Sequence, residues 1–163
     1  MSRYVEDVNV VPLLAPQDIA ATATALPFLA LKTIIDGTLY IAFGNIAAAS
    51  ADQSVTVTLE AATAAASGSE AAIAFDYRLS GAVGANSWGT KTAATSSGVS
   101  IATTDDNKVL AIQIDPAAIQ AAKADATHVR AVITPNAGGT ATLVSAWASF
   151  VPAYKMTTMV SAT

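Results

Sequence analysis

From about residue 28 onward, apolar side chains recur at every second position, the period of a strand with one buried face. The clearest case is residues 54–60, where Val55, Val57 and Leu59 share one side and Thr56, Thr58 and Glu60 the other. Ile73, Phe75, Tyr77 and Leu79 alternate in the same way with Ala74, Asp76 and Arg78. Leu39, Ile41 and Phe43 share a face within residues 38–46, just after Asp36-Gly37, a tight-turn signal. Residues 99–103 and 108–115 read as a strand pair joined by the polar turn Asp105-Asp106-Asn107, with Leu110, Ile112 and Ile114 inward on the second strand. Residues 128–134 and 141–151 flank Asn136-Ala137-Gly138-Gly139 and read as a hairpin, with Trp147 in the core of its last strand. Between these lie the small-residue loops 61–70 and 81–97, the second with one short strand over 90–94 and Trp88.

One segment breaks the period. Asp115 can cap a helix, Pro116 suits its first position, and alanine dominates the next turns, so residues 116–123 are predicted as a short helical turn. The sum is about eight short strands separated by turn-rich loops. That rhythm predicts an all-β domain over residues 28–151, an antiparallel β-sandwich or jelly roll. Residues 152–163, with Met156 and Met159, are predicted as a C-terminal tail.

Residues 1–27 follow neither period. Pro12, Pro16 and Pro27 each remove a backbone donor and disfavour helix in the residue before them. Tyr4, Val5, Val8, Val10, Val11, Leu13 and Leu14 are apolar without helical spacing. An exposed strip of this kind marks an interaction site. The segment is predicted as an extended N-terminal arm lying on its own body, on a neighbouring subunit or on a larger assembly, with a frayed terminus as the alternative.

Composition sharpens this picture. Of 163 residues, 53% are hydrophobic but only 6% aromatic and 12% charged, so alanine carries the difference. Mean hydropathy is +0.48. A chain of this length and composition can bury a true core, and disorder is not expected. The eight basic residues are scattered singly and the net charge is −4, so the clustered cations that displace counterions from nucleic acid are lacking. No apolar run is long enough to cross a bilayer as a helix, and no membrane contact is predicted. Glu6 and Asp7 stand where a signal peptide would carry positive charge, which predicts synthesis in a cytoplasm. There is no cysteine, hence no disulfide, thiolate or Cys-zinc chemistry.

Candidate chemistry is sparse. The single histidine, His128, opens a predicted strand without metal-ligand spacing and reads as a surface or interface residue. No serine sits in a nucleophile elbow. No pair among the twelve carboxylates is singled out for acid–base work. Asp105-Asp106-Asn107 lacks the glycine and closing glutamate of a calcium loop. Gly81, Gly84 and Gly89 precede no helix and no phosphate-binding lysine. No catalytic residue, cofactor or metal is therefore predicted, and the chain is expected not to be an enzyme. The positive signal is compositional: outward strand positions carry Thr, Ala and Ser where a free-standing enzyme carries Lys and Glu, and such faces are sticky unless covered.

These features resemble the small cement or decoration proteins of tailed-bacteriophage capsids. The likeness is carried by the opening Ala20-Ala21-Thr22-Ala23-Thr24, by residues 54–60 and 73–79, and by the ending 128–150, where Val129-Arg130-Ala131-Val132-Ile133-Thr134 leads through a glycine turn into the last strand. The resemblance spans about residues 20–151 and rests on pattern rather than an invariant motif. It implies a compact β-sandwich or jelly-roll virion protein on the capsid exterior, made in the host bacterial cytoplasm and bound to the major capsid protein. Self-association into dimers or trimers, with terminal arms reaching onto capsid subunits, is also implied. Deleting residues 1–14 is then expected to abolish incorporation while leaving the β-domain folded. Two other readings remain open at this stage. One is a different virion part, such as a tail-tube, tail-terminator or head–tail joining subunit. The other is a carbohydrate-binding or adhesin module using the loop from Gly81 to Trp88.

Overall fold

The structure, a computed structural model, describes residues 8–19, 22–46, 54–66, 68–136 and 142–153. In chain order the strands are β1 (Asn9–Asp18), β2 (Thr24–Ala25), β3 (Leu29–Ala30), β4 (Ile34–Ile46), β5 (Ser54–Ala62), β6 (Ala71–Ile73), β7 (Phe75–Leu79), β8 (Thr92–Ala94), β9 (Val99–Ala102), β10 (Val109–Ile114), β11 (His128–Pro135) and β12 (Thr142–Pro152). One helix, α1 (Pro116–Ala122), lies between β10 and β11. Eight of these strands run four residues or longer, and the other four are short pieces stitched to them.

The strands form two antiparallel sheets packed face to face, an all-β sandwich. The first runs β1-β12-β4-β10-β7-β8. The second runs β2-β11-β5-β6, with β3 on the free stretch of β11 beside β2, and β9 on that of β5 beside β6. Alternation does the packing. Leu39, Ile41, Ile112 and Phe150 of the first sheet are buried in one core with Val57, Leu59, Val129 and Ile133 of the second. Each such large side chain removed from water contributes about 1.5–3 kcal/mol. Ala131, Ala146 and Ala148 lie fully buried among them, so small residues alternate with large ones across the seam.

Three sequence expectations are corrected here. Asp36-Gly37 is not a turn but lies within β4, opposite Val151 and Phe150 of β12. The glycine serves close approach: a Cβ on Gly37 would sit 2.1 Å from Phe150 Cδ1, inside the ring's own volume. Second, β9 and β10 are not paired with each other. β9 joins β5 in the second sheet, whereas β10 lies between β4 and β7 in the first. The segment between them is a crossover corner, begun by a single 3₁₀ turn (Thr103–Asp105) and pinned by its polar side chains. Asp106 Oδ1 accepts the Ile46 N–H (2.8 Å), Lys108 Nζ bonds Asp105 Oδ1 (2.8 Å), and Asn107 takes the left-handed φ of 59° that its short amide tolerates. Third, β11 and β12 are not a hairpin, because β11 pairs β5 while β12 pairs β4 and β1. Asn136 extends the β11–β5 ladder, its N–H donating to the Ser54 carbonyl (3.0 Å). Residues 137–139 of the expected turn lie outside the described residues.

The segment read as an arm lies, over residues 9–18, on the chain's own body as β1, the edge strand beside β12. Its register slips between Pro12 and Leu14 and again between Leu14 and Gln17. Pro12 and Pro16 suit this place, since an edge strand has no second neighbour requiring a donor. The predicted helical turn is α1, and Asp115 caps it by accepting the N–H groups of Ala117 (2.9 Å) and Ala118 (3.4 Å). Residues 154–163 of the expected tail lie outside the described residues.

Candidate functional site

The outward face of the first sheet is where unusual side chains collect. Strand alternation puts Leu143, Ser145, Trp147, Ser149 and Val151 outward on β12, Thr38, Tyr40 and Ala42 on β4, and Val109, Ala111 and Gln113 on β10. None of these eleven carries a charge, while Asp36 on β4 stands opposite Val151 and Asp18 on β1 opposite Leu143 at the margins of the face. Register then sets Pro12, Trp147, Tyr40, Ala111 and Arg78 in one row across five strands, each directly opposite the next. Trp147 and Tyr40 are stacked, with ring centroids 5.4 Å apart and planes 16° from parallel. Trp147 is thus not a core residue: it is out of phase with buried Val144, Ala146, Ala148 and Phe150, and lies half-buried on the opposite face.

Beside this row the loop after β7 folds back over the sheet. Ser80 and Trp88 form an isolated bridge, the Gly89 N–H donates to the Leu79 carbonyl (2.8 Å), and the Gly81 N–H donates to the Ser87 carbonyl (3.0 Å). Gly84 provides the left-handed φ of 81° at the tip. The Ser80 hydroxyl oxygen accepts the Val109 N–H (2.9 Å), tying the loop base to β10. Held this way, Trp88 keeps its ring 6.4 Å from Tyr40 at 54°, with 47% of its surface exposed. Under it opens a hollow of about 380 Å³ lined by Asp36, Thr38, Tyr40, Asp76, Arg78, Trp88, Lys91 and Gln113, among others. A smaller hollow of about 240 Å³ adjoins it towards α1 and shares Asp76, Lys91 and Gln113. The Lys91–Asp76 ion pair (2.7 Å) thus stands between the two.

The arm residues fall unevenly. Leu13 is buried at 8% exposure, Val8, Val11 and Leu14 are half-buried, and Val10 is 54% exposed. Tyr4 and Val5 lie outside the described residues. Val10 stands opposite outward-facing Ser149, so it joins Leu143 (50% exposed) and Val151 (42%) on the β1–β12 half of the same outer face.

On the second sheet, Arg130 and its partners are occupied in holding the fold. Arg130 Nε donates to Glu60 (2.9 Å), its Nη2 donates to Glu70 (2.8 Å), and its guanidinium lies 4.4 Å from the centre of the buried Phe28 ring. Backbone N–H bonds, its own and that of Gly68, hold the Glu70 carboxyl below the usual range, with Arg130 adding to them. His128 sits half-buried at the start of β11, edge-on to Phe28. Thr127 Oγ1 donates to the Thr63 carbonyl (2.6 Å), so at 2.7 Å from His128 Nδ1 it can only accept. Burial first, and Lys32 second, push the imidazole below its ordinary value.

Sequence reading named Trp88 but missed Tyr40, Arg78 and Gln113. The available signal was phase: an aromatic residue falling on the threonine side of an alternating strand, as Tyr40 does between Leu39 and Ile41. No protein-family model, curated protein or solved structure matches the chain.

Proposed function

We propose that this chain is a non-enzymatic structural protein of a virion, one that decorates and stabilises a bacteriophage capsid lattice. The supporting observation is the sparsely charged middle of the outer face of the first sheet, where Val10, Leu143 and Val151 stand exposed among serine and threonine, with Asp18 and Asp36 at its margins. Central strands with so little outward charge are a poor surface for a free-standing protein and a good one for an interface, whose fully buried centre is depleted in charged residues. Contact is made by side chains of the β1–β12 half and by residues 1–27, with the major capsid protein and with further copies of this chain as partners. Adding a strand to the β1 edge is the less suitable mode, because Pro12 and Pro16 cannot donate to an incoming ladder. A standard interface takes about 800 Å² from each partner, and repetition over a lattice multiplies a modest affinity into avidity.

Quantitative mass spectrometry of purified virions containing the chain tests this. A copy number that scales with the capsid lattice is expected. The small fixed number of one ring, or a number that scales with tail length, would replace the reading with a joining or tail subunit. Absence from the particle would overturn it. Deletion of residues 1–14 is unsuited to the purpose, because it removes more than half of β1 together with buried Leu13.

A further inference from the structure

We propose that the hollow beneath Trp88 binds an uncharged pyranose sugar. This goes beyond the capsid reading and does not depend on it. A pyranose ring has an apolar C–H face and an equatorial belt of hydroxyls, so it needs an aromatic surface and a ring of mixed donors and acceptors within reach. The hollow supplies both. Trp88 and Tyr40 line it with their rings at 54° to each other, an open angle between two aromatic surfaces. Trp147 lies outside the hollow and stacks on Tyr40, fixing that ring in place. Asp36, Asp76, Arg78 and Gln113 provide carboxylate, guanidinium and amide groups around it. Its volume of about 380 Å³ falls at the small end of ligand sites, which run about 300–1,000 Å³.

Charge and backbone select the ligand class. Two acidic residues, Asp36 and Asp76, face two basic ones, Arg78 and Lys91, so no net field draws an ion. The ionic groups are moreover engaged: Asp76 with Lys91 at 2.7 Å, and Arg78 Nη1 donating to the Gly89 carbonyl at 3.4 Å. Their remaining lone pairs and N–H groups suit hydroxyls better than a second full charge. A peptide strand gains nothing here, because β4 and β7 already pair with β10, which forms the floor between them. Three backbone bonds and the Ser80 hydroxyl fix the loop beforehand, so little ordering is required when a ligand arrives.

Titration of the purified full chain with the methyl glycosides of glucose, galactose, mannose and N-acetylglucosamine, and with their disaccharides, tests this by saturation-transfer NMR and tryptophan fluorescence. Saturable binding with a dissociation constant on the order of 1 mM is expected for at least one sugar. Trp88→Ala and Tyr40→Ala should each weaken it at least about tenfold, with Trp88→Phe recovering part of the loss. Leu143→Ser, at the far end of the same face, should leave it unchanged. Tighter binding of the disaccharides would mark a polysaccharide rather than a free sugar as the natural source. No saturable response from any member of the panel would overturn the proposal. So would binding that survives Trp88→Ala and Gln113→Ala together, since it would then lie elsewhere. Trp88 is an exposed loop residue, and circular dichroism of its variants should match the wild type, which keeps these outcomes readable.

Discussion

Individual side chains in this protein are informative where they break the pattern around them. Gly37 does so by having no side chain, which lets the Phe150 ring lie over β4. Trp147 does so by phase, since the same alternation that buries Phe150 turns the indole outward. Its phase was readable in the sequence, but the apolar run around it concealed the alternation. His128 breaks the pattern by titrating in the neutral range. Its imidazole is held below the ordinary value of about 6.5 by burial and by Lys32, so folding favours the neutral ring. The unfolded chain therefore binds the proton first on acidification. The stability His128 contributes is fully present above about pH 6.5 and is lost as pH falls through the folded-state value. Glu70 shifts in the same sense at lower pH, its contribution fading below the usual carboxylate range. Melting temperatures from pH 8 to about pH 2 should accordingly fall in two stages. His128→Gln should flatten the first stage and leave the second, and an unchanged profile in that variant would assign the first stage to other groups.

At the scale of elements, the strands were legible and their partners were not. Alternation is a local property, so β4, β5, β7, β10, β11 and β12 could be located from spacing alone, and α1 from Asp115 and Pro116. Pairing is set by which faces meet in the core, and here the chain repeatedly changes sheet between successive strands. Among the described strands, only β5 with β6 and β7 with β8 pair as sequence neighbours. Asp105-Asp106-Asn107 carries ordinary turn chemistry, and nothing within it distinguishes a hairpin from a corner leading to the other sheet. The candidate hollow was hidden for the same reason, because Tyr40, Arg78 and Gln113 come together through register across β4, β10 and β7. β1 shows how a segment without clear periodicity can still belong to the sheet: its register slips twice, yet Leu13, in phase with Val11, is buried in the core. Truncating this buried leucine leaves a cavity, so Leu13→Ala should cost about 2–4 kcal/mol in chemical denaturation. Val10→Ala, three residues away on the exposed face, should stay within about 0.5 kcal/mol. Equal small effects at both positions would mean that β1 is only loosely laid on the body.

The whole molecule divides its surface unequally. Arg130 occupies the outer side of the second sheet, paired with Glu60 directly opposite it on β5 and with Glu70 from the following loop. The first sheet has exposed aliphatic groups at the β1–β12 half, with Asp18 and Asp36 at the margins, and an aromatic hollow with two acidic and two basic side chains at the β7 half. A protein with only 12% charged residues has little else to keep that face from associating. Self-association through the β1–β12 half is the expected solution behaviour, and light scattering coupled to size exclusion should report a discrete dimer or trimer. Leu143→Lys combined with Val151→Lys places two like charges on the contact. Both side chains are about half exposed, so each lysine can lay its stem along the sheet with its ammonium in water, and the fold should melt as before. The oligomer should be weakened to monomer, since two added cations, each with only one cross-strand carboxylate beside it (Asp18 opposite position 143, Asp36 opposite 151), would have to be desolvated in every interface. A doubly substituted chain that melts normally and runs as a monomer would locate the contact at this half. An oligomer that persists unchanged would move the contact to residues 1–27 or the second sheet, and would leave the outer face of the first sheet free for a different partner.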